Sequence, residues 1–295
     1  MAKILLAGEV CAEKQYLMDS VPQIKEVSFV NSVNTLTSSK IINAGRILAS
    51  SNSVSMFGVV GDDNNGKQAI SDLEKYGIDT KLVYTTSESP TAEVLVLTDK
   101  DGQSAIVLNL NAINFFDELK LQSLSDYEYL YMATSMKLDQ IYKMIDRANK
   151  DDVKIFLDFP NQQKEFDKEK LKTIDFVVPN RQETELLLDA KITTIDEALE
   201  AVTKLKSFTD GIAIITLDTD GCVVFDKEAK HYPTETITAM DATGSGDIFR
   251  GVFLSEYIKT NDLDQSIKKA LQLATESVKY QGVNNSVEEI KKLVS

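Results

Sequence analysis

Cysteine is nearly missing from this chain: Cys11 and Cys222 are the only two, far apart and without metal-ligand spacing. That excludes a disulfide framework and fits a reducing compartment. Only five prolines occur, so there is no Pro-rich linker. The single histidine, His231, stands beside Tyr232-Pro233 at an expected strand edge with no ligand partners nearby, and it is given no role. No stretch approaches the ~18 apolar residues of a membrane span. Residues 1–8 hold too short an apolar run for a signal peptide and read as a first strand, so the expected location is the cytoplasm. Basic residues are also in deficit, 32 against 46 acidic, for a net charge of −14. This excludes nucleic acid and anionic membranes as partners but leaves room for one phosphorylated ligand held by a local loop.

What remains is an ordinary globular composition, 43% apolar and 26% charged over 295 residues, enough for a substantial core. Short apolar runs alternate with amphipathic helical patterns. Residues 4–7, 54–60, 129–133, 154–158, 176–179 and 212–217 read as buried parallel strands. Helices are expected at 41–49, 66–76, 138–149 and 194–208, the last opened by a Thr194/Glu197 capping box, and at 263–278, ended by Gly282. Segments 27–36 and 92–110 break the alternation. They read as strands, the second a hairpin turning at Asp99-Lys100-Asp101-Gly102. The expected fold is a three-layer α/β domain with a central, mostly parallel sheet. A small β-sheet lid is inserted at about 11–36 and 91–111, and residues 1–295 form a single domain. Ligands in such folds bind beyond the carboxyl ends of the strands.

The most telling stretch is Asp241-Ala242-Thr243-Gly244-Ser245-Gly246-Asp247, followed by the apolar run 248–254. A small-residue loop opening a helix offers unpaired N–H groups and the positive helix end to an anion. Asp247 stands within that patch as a base for an incoming hydroxyl. The bland alternative is a glycine turn with an Asp that only complements the helix dipole.

The segment from Asp241 to Phe249 resembles the Asp-Thr-x-Gly-Ala-Gly-Asp-x-Phe signature of the ribokinase/PfkB family of carbohydrate kinases, with Ala242 and Ser245 substituted. The likeness runs from about Ile4 to Ser286. It implies that Gly244, Ser245 and Gly246 hold the transferred phosphoryl group and that Asp247 is the base. Asn180-Arg181-Gln182-Glu183 is similar to the family's Asn-x-x-Glu, which implies Asn180 near the nucleotide phosphates and Glu183 organising magnesium through water. A helix N-cap with its capping-box partner explains the same pair. Residues 214–221 resemble the Thr-Leu-Gly-x-x-Gly turn at which the family holds ATP. Thr216 and Gly221 match, whereas Asp218 replaces the first glycine and reads as part of a tight turn. Residues 58–66 match the family's Val-Gly-x-Asp-x-x-Gly stretch and read as structural. Asp241, Thr243 and Ser286 fall where many members bind a monovalent cation such as K+.

On the acceptor side the chain departs from ribokinases. Cys11-Ala12-Glu13 stands for Asn-x-Asp, and Ser38-Ser39-Lys40-Ile41-Ile42-Asn43 for Gly-Gly-Lys-Gly-x-Asn. Glu13, Lys40 and Asn43 are therefore the candidate acceptor contacts, with an exposed helix start as the plain alternative for the last two. Arg46 is either an extra cation for a hexose phosphate or a solvated surface residue. The expected activity is ATP-dependent, magnesium-assisted phosphorylation of a hydroxymethyl group on a small sugar or sugar derivative. The alternatives are a nucleoside kinase of the same fold and a catalytically silent nucleotide- or sugar-binding protein. A homodimer through the lid is the expected assembly.

Overall fold

The protein is described by a computed structural model covering residues 1–101, 103–133, 135–159 and 165–294. The chain opens with β1 (Lys3–Ala7), β2 (Cys11–Met18), β3 (Val30–Thr37) and α1 (Lys40–Leu48). It continues with β4 (Ser53–Gly61), α2 (Asn64–Lys75), β5 (Ile78–Thr86), β6 (Ala92–Thr98) and β7 (Ser104–Asn109). Then come β8 (Tyr129–Ala133), α3 (Leu138–Lys150), β9 (Lys154–Asp158), β10 (Phe176–Val177), α4 (Arg181–Leu188) and α5 (Ile195–Lys206). It closes with β11 (Ile212–Thr216), β12 (Cys222–Phe225), β13 (Ala229–Tyr232), α6 (Ser245–Thr260), α7 (Leu263–Ser277) and α8 (Val283–Val294).

Nine strands form one sheet in the order β13-β12-β11-β10-β9-β8-β1-β4-β5. It is parallel except for the β11–β12 and β12–β13 pairs. β1 shows why such strands read as continuous apolar runs: Ile4 and Leu6 enter the core on one face, Leu5 and Ala7 the core on the other. The first core is closed by residues of α1, α2, α6, α7 and α8, the second by α3, α4 and α5. The result is the expected three-layer α/β arrangement. A second sheet runs β3-β2-β6-β7, with β2 and β6 parallel and the two outer pairs antiparallel.

The strands expected at 176–179 and 212–217 shorten to Phe176–Val177 and Ile212–Thr216. Single backbone bonds continue the pairing, from the Val178 N–H to the Leu157 carbonyl at 3.2 Å and from the Thr216 N–H to the Pro179 carbonyl at 3.1 Å, before the chain turns into the cap of α4. β5 escapes the pattern reading because it is a half-exposed edge strand, IDTKLVYTT, with few apolar neighbours in sequence. Gly282 does not end α7, which stops at Ser277; it sits instead at φ +79° immediately before α8. β6 and β7 form the hairpin expected over 92–110, while Gly102 of its turn lies outside the described residues.

Because β1, β8, β9, β10 and β11 are parallel, their carboxyl ends share one edge of the sheet. Glu9, Asp158, Asn180 and Thr216 therefore come from distant sequence positions to a single rim. The start of α6 meets them there.

Candidate active site

α6 starts on Gly244, whose φ of +79° is a left-handed backbone that disfavours any residue with a Cβ. A Cβ there would also run into the Val283 side chain. The Ser245 N–H donates to the Ala242 carbonyl at 3.2 Å. The donors that a helix start leaves over therefore fall to the next residues, Gly246 and Asp247. Residues 247–255 are all buried, so α6 is the central helix of its layer rather than an amphipathic one. Two of them, Asp247 and Arg250, are charged. Buried charge persists only when it is paired.

The pairing is extensive. Asn43 on α1 donates from Nδ2 to Asp247 Oδ2 at 2.9 Å, and its own Oδ1 accepts from the Ser38 hydroxyl at 3.2 Å. Arg250 reaches Asp158 through Nε at 3.2 Å and donates to the Val178 carbonyl at 3.2 Å. Its terminal nitrogens lie 3.7 Å from Glu183 Oε2 and 3.8 Å from Asp247 Oδ1. Lys40 Nζ contacts Glu183 Oε1 at 2.8 Å. Tyr131 donates to Asp158 at 3.4 Å. α1, α4, α6, β8 and β9 thus converge on one buried cluster of charge.

Burial pushes the Asp247 carboxyl up to about 7, and the Asp158 carboxylate adds to the rise. Arg250, the Asn43 hydrogen bond and Lys40 oppose it. Burial alone would lower the proton affinity of Arg250 and of Lys40, but the surrounding carboxylates, Asp158 and Glu183 foremost, hold both raised. Glu9 is likewise raised by burial, partly offset by N–H groups including that of Ser135, and by Lys40. A carboxylate poised near neutrality beside a helix N-terminus can accept a proton from a hydroxyl while the helix end holds an anion.

In the segment expected to bind the acceptor, Ser39 caps α1, accepting from the Ile42 N–H and donating to the Glu9 carbonyl. A serine in this position supplies a cap that a glycine would leave open. Glu13 on β2 is buried and accepts from Gln15 at 2.7 Å. Burial raises the Cys11 thiol far above its usual range, with the Glu9 and Glu13 carboxylates adding to it. Cys11 and Glu13, two residues apart on β2, share one face of that strand. Arg46 is neither solvated nor turned toward this group. It is 1% exposed, donates to Asn284 and Glu288 on α8 at 2.5 and 2.9 Å, and stacks 4.1 Å over the Tyr76 ring.

Asn180 and Glu183 form the full capping box of α4. The Asn180 side chain takes the Glu183 N–H at 2.8 Å, and Glu183 Oε2 takes the Asn180 N–H at 2.7 Å. Asn180 also bridges Thr216 at the end of β11. The turn beyond is a short 3-10 segment, Asp218–Asp220, followed by Gly221 at φ +83°. Arg181 and His231 tie it down through Asp220, the first on its carboxylate at 2.6 Å and the second on its carbonyl at 2.7 Å. Asp218 keeps a left-handed φ of +54° despite its side chain.

Asp241, Thr243 and Ser286 gather around the 277–282 turn. Asp241 accepts the Thr243 and Gly282 N–H groups, both at 2.9 Å, and Ser286 donates to the Ser277 carbonyl at 3.0 Å.

Four members of the cluster escape sequence reading. Arg250 had a signal, a lone charge inside the apolar run 248–254. Asp158 had one as well, a carboxylate closing a buried strand. Glu9 and Tyr131 had none, since only the folded sheet brings them to the rim.

Residues 40–290 match the pfkB family of carbohydrate kinases. The deoxyribokinase of Salmonella typhi is 25% identical over 243 residues, covering 81% of this chain and 79% of that protein. The structure of Arabidopsis thaliana ribokinase complexed with ribose and ATP superposes with a TM-score of 0.86 at 19% identity, covering 100% and 99% of the two chains. The nucleoside kinase of Methanocaldococcus jannaschii, described as an archaeal member of the ribokinase family, gives 0.78 at 21% identity, with 99% of each chain covered. These two likenesses are ones of fold.

Proposed function

The chain belongs to the pfkB family of carbohydrate kinases, and we propose that it transfers the γ-phosphoryl group of ATP to a hydroxymethyl group of a small, unphosphorylated sugar or sugar derivative. The observation that carries this reading is Asp247. It is buried at the start of α6, drawn up to about 7 and held by Asn43 beside the positive end of that helix.

In the proposed reaction the acceptor hydroxyl gives its proton to Asp247 as its oxygen forms a bond to the γ-phosphorus. The bond from that phosphorus to the β-bridging oxygen breaks, and ADP leaves with the electron pair. The first-turn N–H groups of α6 face the charge on the transferred group. Gly246 keeps that approach open on the side where a Cβ would meet only Arg250. Asn180, Thr216 and Gly221 line the nucleotide side. Closure of the small sheet over the acceptor excludes water and limits wasteful ATP hydrolysis.

Magnesium, when bound, would neutralise charge on the nucleotide phosphates. Both Glu183 oxygens already accept, from Asn180 and from Lys40, so this side chain suits contact through water rather than direct ligation. Among the described residues no group of three or more His, Cys, Asp or Glu side chains could hold a metal. The Asp241 carboxylate and Ser286 hydroxyl are engaged within their own turn, so a K+ ion there would rest chiefly on backbone carbonyls.

Two features support an unphosphorylated acceptor. Arg46 is committed to α8 and Lys40 to Glu183, while Glu13, the acceptor contact on β2 in this reading, is a buried carboxylate that would repel a phosphate. Among the described residues no helix is long and apolar enough to cross a membrane. The two buried thiols, both unpaired, accord with catalysis in the cytoplasm. The exposed apolar residues of the small sheet, Val33, Ile106 and Val107 among them, suit pairing with a second copy.

ADP release measured across pentoses, hexoses, hexose phosphates and nucleosides tests the assignment. An unphosphorylated sugar is expected to give the largest stimulation. A nucleoside that surpasses every sugar makes the protein a nucleoside kinase instead. ATP binding by calorimetry with no acceptor stimulating turnover leaves a silent binding protein.

A further inference from the structure

Arg250 stands out among the buried groups. It is a guanidinium 2% exposed in the second turn of the central helix, with Asp247 one turn before it. Its contacts are unequal. Nε and the Val178 carbonyl fasten it to the sheet, together with Asp158 at the end of β9. The two terminal nitrogens instead lie between Asp247 and Glu183, at 3.8 and 3.7 Å, beyond hydrogen-bond distance of either. Nη2 is buried and has no hydrogen-bond partner among the described residues. Such an arrangement is costly for stability alone, since a buried charge triad is often no better than apolar packing.

We propose that Arg250 is a positioning residue of this kinase. Anchored to Asp158 and the Val178 carbonyl, its guanidinium stands between the Asp247 and Glu183 carboxylates, fixes their separation, and supplies the buried positive charge against which the base works. The inference rests on Asp247 being that base. Gly246 belongs to the same device, because a Cβ there would come within 3.1 Å of Arg250 Nη1. The groups that face Asp247 come from every element packed around it: Lys40 and Asn43 from α1, Tyr131 from β8, Asp158 from β9 and Arg250 from α6. Of the cations, Arg250 bears on Asp247 more strongly than Lys40 does. A lysine in its place would keep charge but lose the planar fork that spans two carboxylates.

The test has an arm that needs no turnover. In protein carrying 13C-carboxyl aspartate, the resonance missing from Asp247→Asn identifies the Asp247 carboxyl. Its titration midpoint is expected to rise by at least about one pH unit in Arg250→Met and by less in Arg250→Lys. A midpoint unmoved in folded Arg250→Met overturns the proposal, whether or not the wild type turns over. The second arm is Arg250→Met/Asp158→Asn, which leaves neither buried charge alone and so keeps the fold if the single variant does not. Here kcat is expected to fall at least about tenfold, with KM for either substrate within about twofold, because geometry rather than binding is lost. A kcat within about twofold of wild type also overturns it. A wild type that binds ATP but phosphorylates nothing counts against the kinase reading alone, since the midpoint arm still decides the role of Arg250.

Discussion

Lys40 and Glu183, 143 residues apart in the chain, meet at 2.8 Å between Nζ and Oε1. The contact joins the start of α1 to the first turn of α4. Each side chain is held by the other. Glu183 is wholly buried and spends its other oxygen on the Asn180 N–H.

Lys40→Met is expected to loosen this joint. Stability should fall by only about 1–2 kcal/mol, less than for a fully buried pair, because the lysine side chain is 36% exposed. KM for MgATP should rise several-fold, which initial-rate kinetics would show. Unchanged nucleotide kinetics would make the contact a helix brace and nothing more.

The raised Asp247 carboxyl gives both activity and stability a pH dependence with opposite signs. As a base it must be ionised, so kcat/KM should climb about tenfold per unit until about pH 7 and then level. For stability the folded state binds the proton more tightly than the unfolded chain does. Stability due to this group is then full below the ordinary carboxylate range and is lost as pH rises through about 7. Asp247→Asn should accordingly be the more stable protein at about pH 8, by about 2–4 kcal/mol, and lose that advantage near about pH 4. Denaturant titrations at the two pH values check the sign.

Arg46 is predicted to be a structural residue of α1 and α8. Arg46→Ala should cost about 3 kcal/mol through lost packing on Tyr76 and an abandoned Glu288 contact, seen as a lower unfolding midpoint. The ratio of activity on a hexose to activity on its phosphate should stay the same. A shift in that ratio would return Arg46 to the acceptor site.

Asp218 carries a cost that a glycine would not. Its left-handed backbone suggests that Asp218→Gly stabilises the 218–220 turn by about 1 kcal/mol. Removal of a carboxylate from the nucleotide side should also lower KM for ATP at limiting magnesium. Thermal unfolding and ATP titration read the two effects separately.

Much of this was legible in the sequence because the relevant chemistry is local. The loop around Gly244 and Asp247, the Asn180/Glu183 cap and the apolar runs of β1, β8 and β9 each declare themselves within a few residues. Two strands showed less clearly: β2 of the small sheet offers only a mixed run, CAEKQYLM, and β5 at the edge of the large sheet a half-exposed one. What was hidden is what needs the sheet closed. Asp158 gains meaning only when β9 lies beside β8 and α6 is laid across them. Arg46, at helical spacing from Asn43, looked like a ligand or a surface residue until α8 covered it. The acceptor stayed open for the same reason, since Lys40 is tied to Glu183 only once α1 and α4 meet at the rim of the sheet.

The most direct test of the account is acceptor-stimulated ADP release by Asp247→Asn, measured beside ATP affinity by calorimetry. The prediction is a loss of at least about a thousandfold in kcat with ATP affinity within a few-fold of wild type, since the base acts on the hydroxyl and not on the nucleotide. Turnover retained within about tenfold, with ATP bound as before, would contradict it.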